Sequence, residues 1–487
     1  MDDMLMDAGI WAGKALVQGW EELQGGCIEV REPATGSVLA RVALADPADV
    51  RRACSVAQQA HPGWAALPYG ERAAVFRRAA RLLEDGRDSV AQWIVRETGS
   101  IMPKATFEID SVVHLLYDAA AMLRQPQGLV LPSASGATSL ARRVPHGVVG
   151  VISPFNFPLL LSSRATLPAL ATGNAVVLKP DARTPISGGV LLSRLLEMAG
   201  LPTGVLTMLP GEAAAGEALV TDPAVDMVSF TGSTTVGRRV GELAGRHLKK
   251  VALELGGKNS LIILDDADLE LAISGGSWAS WLHQGQICMS AGRHLVQRDL
   301  ATRYAERMAA KAQALPVGNP DGGPVAIGPL ITMKQVLNVD RIVRTSIEMG
   351  ARLLAGGRYD GPFYYPTVLT DVSPTMPVFR EEIFGPVVSI TAFDTDDEAV
   401  ALANDTEYGL SAGIHTRDVS RGASIAEQLR VGLVHVNDQT VNDDGTMPMG
   451  GRGASGNGSR HGGPANWDEF TQWQWVTLRS VAPAYPL

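Results

Sequence analysis

Cysteine is scarce in this chain. Only Cys27, Cys54 and Cys288 occur among 487 residues, too few and too scattered for a disulfide framework or a Cys-x-x-Cys metal site. The chain therefore reads as a reduced, cytoplasmic protein that holds no metal. Long apolar runs are missing too: none reaches the roughly 18 residues that a membrane-spanning helix needs. The start, MDDMLMDAGIW, has neither the basic nor the apolar region of a secretory signal. Two sequons, at Asn404 and Asn457, are accordingly chance matches in loops. Basic charge is in deficit. A formal net charge of -9 excludes nucleic acid or an anionic membrane as the main partner, since both need a basic face, and leaves a small molecule as the better fit. The strand-turn-helix at Phe230 to Gly237 does not carry the Gly-x-Gly-x-x-Gly dinucleotide fingerprint.

What is present is an ordinary globular composition, 46% hydrophobic and 19% charged, on a chain long enough for two or three domains. From Glu71 to Gly86, Val75, Ala79, Leu82 and Leu83 recur at helical spacing, which predicts an amphipathic helix with Arg72, Arg77, Arg78 and Arg81 on its solvated side. From Val148 the texture changes to short continuous apolar runs punctuated by Gly, Pro and Asn: VVGVI, AVVLKP, GVLTMLPG, DMVSFTGS and KKVALELGG. Helical stretches such as Gly188 to Ala199 and Gly211 to Val220 alternate with them. Continuous runs suit parallel strands covered on both faces, so the pattern predicts a Rossmann-like α/β domain. A second α/β unit begins near Leu261 and continues to about Val431. Alternating segments at 125–144 and from Phe470 read as strands outside both sheets, forming a small β ribbon.

Four short motifs carry chemistry. Glu254, followed by Leu255-Gly256-Gly257-Lys258, stands at the end of an apolar strand, where α/β proteins place their sites, although an acid before two glycines is more often a turn or cap residue. Cys288 closes Gly285-Gln286-Ile287-Cys288; a thiolate there can attack while its backbone amide faces a developing oxyanion, yet a lone Cys is as often a buried structural thiol. Asn156 lies in Ser153-Pro154-Phe155-Asn156-Phe157-Pro158, where two prolines stiffen the loop around a side-chain amide that can donate. Phe230-Thr231-Gly232-Ser233, running on to Gly237, makes a strand end, a turn and a helix start, which offers backbone amides to a phosphate.

Together these motifs resemble the aldehyde dehydrogenase superfamily over nearly the whole chain, with further matches at Lys179-Pro180, Gly211 with Gly216, Glu381 to Pro386, and Pro448 to Gly451. The resemblance implies a NAD(P)-binding domain from 1–124 and 145–253, a catalytic domain at 254–431, oligomerisation segments at 125–144 and 470–487, and a return segment at 432–469. It implies that Cys288 attacks an aldehyde, that Asn156 and the Cys288 N–H hold the oxyanion, and that Glu254 activates water to hydrolyse a thioester. Lys179 would hold the adenosine ribose, Ser233 and its neighbours the pyrophosphate, and Glu382 the nicotinamide ribose, with Phe384 beside the nicotinamide. Ser153, Pro154, Phe155, Gly211, Gly216, Phe230, Gly232, Gly237 and Leu255 complete the expected cofactor site.

Many NAD-preferring members carry a glutamate where this chain has Ala182, so NAD is expected with NADP also accepted, and Arg183 as a helper for a 2′-phosphate. The stretches around His283 and from Val436 to Asp443 resemble the benzaldehyde and vanillin dehydrogenases, which implies an aromatic substrate rather than an aliphatic aldehyde or semialdehyde. Phe157 to Leu161 reads either as an apolar wall for that ring or as a buried helix start, and Arg164 as a partner for a substrate carboxylate. His283 is expected to be structural, and Trp278 and Trp281 to lie in the core. A homodimer or homotetramer is the expected assembly.

Overall fold

The computed structural model describes residues 5–133 and 135–486. The acidic start of the chain and positions 134 and 487, inside the two expected oligomerisation segments, lie outside the described residues. The five apolar runs form the strands Val148–Ile152, Ala175–Lys179, Leu206–Met208, Met227–Thr231 and Lys250–Glu254. All pair in parallel, and the run's first strand lies between its second and its fourth. Strand order thus reverses at Val148–Ile152, where connections leave toward opposite faces and open a crevice at the strands' carboxyl ends. Two short antiparallel strands, Ala15–Leu16 and Trp20–Glu21, finish the far edge.

Helices bury both faces of this sheet. Tyr69–Asp85, Met102–Met122, Pro158–Ala171 and Leu191–Met198 share one apolar cluster, and Pro47–Ala66, Ala213–Thr221 and Thr234–Arg246 share the other. Pro47–Ala66 starts cleanly because Asp46 accepts from the Ala48 and Asp49 amides while Asp49 answers the Asp46 amide, with proline in the first helical turn. The helix predicted at Glu71 to Gly86 runs from Tyr69 to Asp85, with Gly86 as its cap. Arg72 corrects the expectation of a wholly solvated arginine face. It is buried, donates to the Ala171 carbonyl and lies against the Trp64 ring, because its long stem fits an apolar setting when the guanidinium finds an acceptor.

A second sheet holds Arg352–Ala355, Thr367–Thr370, Val387–Phe393, Ala291–Gln297, Asn259–Ile263, Ser411–His415 and Leu433–Val436 in that order. All but the first pair in parallel. Its last strand extends the second α/β unit past the expected boundary at 431; a half-buried edge strand carries little apolar signal. The other expected boundary also shifts, since Glu254 is the last residue of the first sheet's edge strand. The chain therefore crosses between sheets along Leu255-Gly256-Gly257-Lys258.

Thr471–Leu478, Thr138–Pro145 and Gly128–Leu131 make a separate antiparallel ribbon from the two segments read as strands. Trp281 is buried, whereas Trp278 is 51% exposed and corrects its placement in the core. It faces out from helix Leu269–Trp281 on the same side as exposed Leu271. Among the described residues no helix is long and apolar enough to cross a membrane, and no three His, Cys, Asp or Glu side chains converge to hold a metal ion.

Candidate active site

A cleft of about 1050 Å³ opens where the reversed strand order predicts it, between the carboxyl ends of the first sheet and the loops of the second. The strand Val148–Ile152 leads into Ser153-Pro154-Phe155-Asn156, and all four residues line the cleft. Lys179, last in its strand, donates to the Gly211 carbonyl at 2.6 Å, and Gly216 lies beside the lysine stem, where a Cβ would make an ordinary contact at 3.4 Å. Ser233 caps helix Thr234–Arg246 by accepting from the Val236 amide, and Ser233, Thr235 and Val236 line the cleft at this helix start beside Phe230 and Gly232. Gly237 does not line the cleft. It lies beneath Leu255, whose side chain does, and a Cβ on Gly237 would fall 2.2 Å from that leucine. Across the cleft, Phe384 meets Phe155 edge to face at 5.9 Å.

Ala182 lines the cleft without a carboxylate, but its neighbour supplies one: Asp181 is gripped by Arg183 through the side chain and the backbone amide. Arg183 also lies 4.2 Å over the Phe155 ring, so it is a fixed part of the wall rather than a loose cation.

Three groups converge at the inner end. Glu254 is 4% exposed and neither carboxylate oxygen has a protein partner. Burial pushes its pKa well above the usual carboxylate range, against the pull of Arg164 and Arg460. Burial likewise pushes the half-buried Cys288 thiol up to about 12, reinforced by the charges of Glu382, Glu254 and Asp443 and opposed by the Met289 amide at the sulfur. Asn156 donates one N–H to the Gln286 carbonyl at 2.9 Å, which ties it to the cysteine loop; its amide nitrogen carries a second donor. Glu382 accepts from the Gly257 amide at 3.0 Å, and burial lifts its pKa to about 7.

The chain that delivers Cys288 is bent by consecutive left-handed residues, His283 (φ 48°), Gln284 (φ 58°) and Gly285 (φ 68°). His283 is buried edge-on against Phe157 at 5.8 Å, and burial keeps it neutral. Phe157 and Leu159 are themselves buried, and of the Phe157 to Leu161 stretch only Leu161 reaches the cleft. The segment is a helix start, not a wall. Arg164 is already paired with Asp443; the arginine is buried and the aspartate half-buried.

This arrangement can attack a carbonyl with sulfur, hold the oxygen with amides and then activate water, beside a cleft sized for a dinucleotide. The sequence model of the aldehyde dehydrogenase family matches residues 20–476. The chain belongs to that family. It is 49% identical over 478 residues to a benzaldehyde dehydrogenase [NAD(+)] of Pseudomonas putida, covering 98% of each chain. A vanillin dehydrogenase of an Amycolatopsis species is 50% identical over 482 residues, covering 99% of each. The crystal structure of an E. coli NADP dependent enzyme superposes with a TM-score of 0.94 at 34% identity, covering 97% of this chain and 99% of the other.

Sequence reasoning missed the wall formed by Ile331, Thr332 and Gln335. Thr332 caps helix Met333–Glu348, and Gln335 donates to the Ile383 and Phe384 carbonyls at 2.8 and 3.0 Å, fixing the Phe384 loop. The Thr-x-x-Gln cap was the signal available. Gly285 is the tightest point in the cysteine loop: besides its positive φ, a Cβ there would lie 2.3 Å from the Gly385 carbonyl oxygen. Gly285→Ala should therefore displace Cys288 and lower kcat on the order of a hundredfold while the thermal transition persists; a fully active Gly285→Ala enzyme would show that the loop tolerates the displacement.

Proposed function

We propose that this enzyme oxidises an aromatic aldehyde of the benzaldehyde type to the carboxylic acid, using NAD. The observation that carries the proposal is the convergence of Cys288, unpaired buried Glu254 and the Asn156 amide at one end of the cleft. Likeness at about half identity to benzaldehyde and vanillin dehydrogenases supports the substrate class.

An aldehyde carbon cannot give up hydride until a nucleophile makes it tetrahedral, so sulfur attack comes first. The Cys288 thiol is neutral at rest and must lose its proton; Glu254, once ionised, is a stronger base than an ordinary carboxylate and suits that task and the later activation of water. The second N–H of Asn156 and the Cys288 backbone N–H hold the oxygen of the thiohemiacetal. A bound NAD would supply the hydride acceptor for this tetrahedral carbon. Glu254 releases the proton it took from the thiol to solvent, then takes one from the water that attacks the thioester; the acid leaves, and the departing thiolate takes that proton back from Glu254 to restore the thiol.

The residues present fit the dinucleotide. Lys179 would hold the adenosine ribose, the helix start at Ser233 the pyrophosphate, and Glu382 the nicotinamide ribose, with Phe384 beside the nicotinamide ring. Gly256 matches this use of Glu382, because any Cβ at 256 would lie 2.3 Å from its carboxylate.

Substrate class is tested by comparing kcat/KM for benzaldehyde, hexanal and succinic semialdehyde. Benzaldehyde should be favoured; a higher efficiency with the semialdehyde would remove the aromatic assignment.

NADP should also be accepted, because the carboxylate beside Ala182, on Asp181, is neutralised by Arg183. Arg183→Ala would unmask that charge and should lower the NADP-to-NAD efficiency ratio about tenfold, roughly 1.4 kcal/mol. An unchanged ratio in a titration of both cofactors would take Arg183 out of cofactor choice.

The ribbon is proposed to mediate a homodimer or homotetramer. Its edge strand Gly128–Leu131 is exposed throughout, and Val130, Trp473 and Trp475 present apolar surface at 78%, 52% and 76% exposure. The double substitution Val130→Glu with Trp475→Glu should reduce the mass seen by sedimentation, whereas an unaltered mass would place the interface elsewhere.

A further inference from the structure

The mechanism leaves one fully buried ion pair unused. Lys104 and Glu108 stand one turn apart on helix Met102–Met122, with ammonium and carboxylate 2.5 Å apart and both side chains out of solvent. The placement is costly in two ways. Two charges are stripped of water, and Lys104 sits in the first turn of its helix, where the helix dipole opposes a cation. Apolar side chains of matched size would fill the same space without either cost.

What the pair does shows in its other contacts. Helix Pro158–Ala171 starts two residues after Asn156, and its cap is Phe157, a side chain with no acceptor for the first amides. Glu108 supplies the missing cap from the neighbouring helix: Oε2 holds Lys104, and Oε1 accepts from the Leu160 amide at 3.1 Å. A carboxylate suits the positive end of that helix. Lys104 Nζ also lies 4.2 Å over the Phe157 ring, which meets His283 of the cysteine loop on another side. The residue next to Asn156 and the first turn that follows it are thus both fastened to one ion pair. We infer that Glu108, oriented by Lys104, is a positioning residue of the reaction, capping the helix behind Asn156 and so aiming the Asn156 amide at the substrate oxygen. The inference rests on the oxyanion role proposed above for Asn156 and adds what holds that residue in place.

Two double variants of equal charge separate the cap from the packing. Lys104→Met with Glu108→Gln keeps an acceptor for the Leu160 amide, whereas Lys104→Met with Glu108→Leu removes it at similar volume. Each is made in the wild-type and in the Asn156→Ala enzyme, and NADH formation in the first turnover is timed with saturating NAD and benzaldehyde. The leucine variant should be about tenfold slower than the glutamine variant, with NAD affinity unchanged. Without Asn156 the two should be equally fast, because the cap has nothing left to aim. A leucine variant as fast as the glutamine variant, or a gap that persists in the Asn156→Ala enzyme, would overturn the positioning role. Should the leucine variant not fold, the glutamine variant decides. Loss of the ammonium over Phe157 should slow its first turnover about threefold in the wild-type background and not at all in the Asn156→Ala background. Equal slowing in both backgrounds, or none in either, would overturn the inference. An Asn156→Ala enzyme as fast as the wild type would overturn the oxyanion role itself, which the other outcomes leave standing.

Discussion

Everything at the site depends on how closely two backbones approach at Gly256-Gly257. There the chain leaves the first sheet's edge strand, whose last residue is Glu254, and crosses to the second sheet, which starts at Asn259. A Cβ at 256 would lie 2.3 Å from Glu382, and one at 257 would lie 2.6 Å from the Cys288 carbonyl oxygen. Only glycine lets the crossing run beneath both. The Gly257 amide then binds Glu382, and the Asn259 side chain donates to the Cys288 carbonyl at 2.8 Å, so one short linker holds Glu254, Glu382 and Cys288 in register. Small side chains here are a condition of the geometry, and the rest of each domain supplies rigid support.

Burial sets the electrostatics of that junction. With little water to solvate them, Glu254 and Cys288 are both driven toward their neutral forms, and the nearby carboxylates of Glu382 and Asp443 push the same way on the thiol. A resting thiol is protected from oxidation, and a carboxylate raised in this manner becomes a better proton acceptor when it does ionise. Arg164 and Arg460 limit how far Glu254 is raised. The Arg164–Asp443 pair therefore acts on the chemistry electrically, Arg164 pulling the Glu254 pKa down and Asp443 pushing it up.

Much of this was legible in the residues. Continuous apolar runs ending in Lys179, Thr231 and Glu254 identified parallel strands and put those side chains at their carboxyl ends, because period and punctuation are local properties. Partnerships between distant residues are not local. Arg72 and Arg164 look like any surface or ligand-seeking arginine until the Ala171 carbonyl and Asp443 are brought to them. Arg183, offered by the sequence as a free cation, proves committed to Asp181 and Phe155. Trp278 carries the composition of a core residue, yet its neighbours turn it outward. Leu433–Val436 is an edge strand whose half-burial leaves no pattern strong enough to mark where the second sheet ends.

The central claim is that Cys288 carries the acyl group and Glu254 governs its release. Glu254→Gln keeps the side chain's shape and removes the base, so the acyl-enzyme should accumulate. Rapid mixing of this variant with NAD and benzaldehyde should give a burst of NADH followed by a slow steady state. Mass analysis of the quenched enzyme should find a benzoyl group on the peptide containing Cys288. A burst with no adduct there, or a variant in which NADH formation and turnover slow equally with no acyl-enzyme present, would contradict the account.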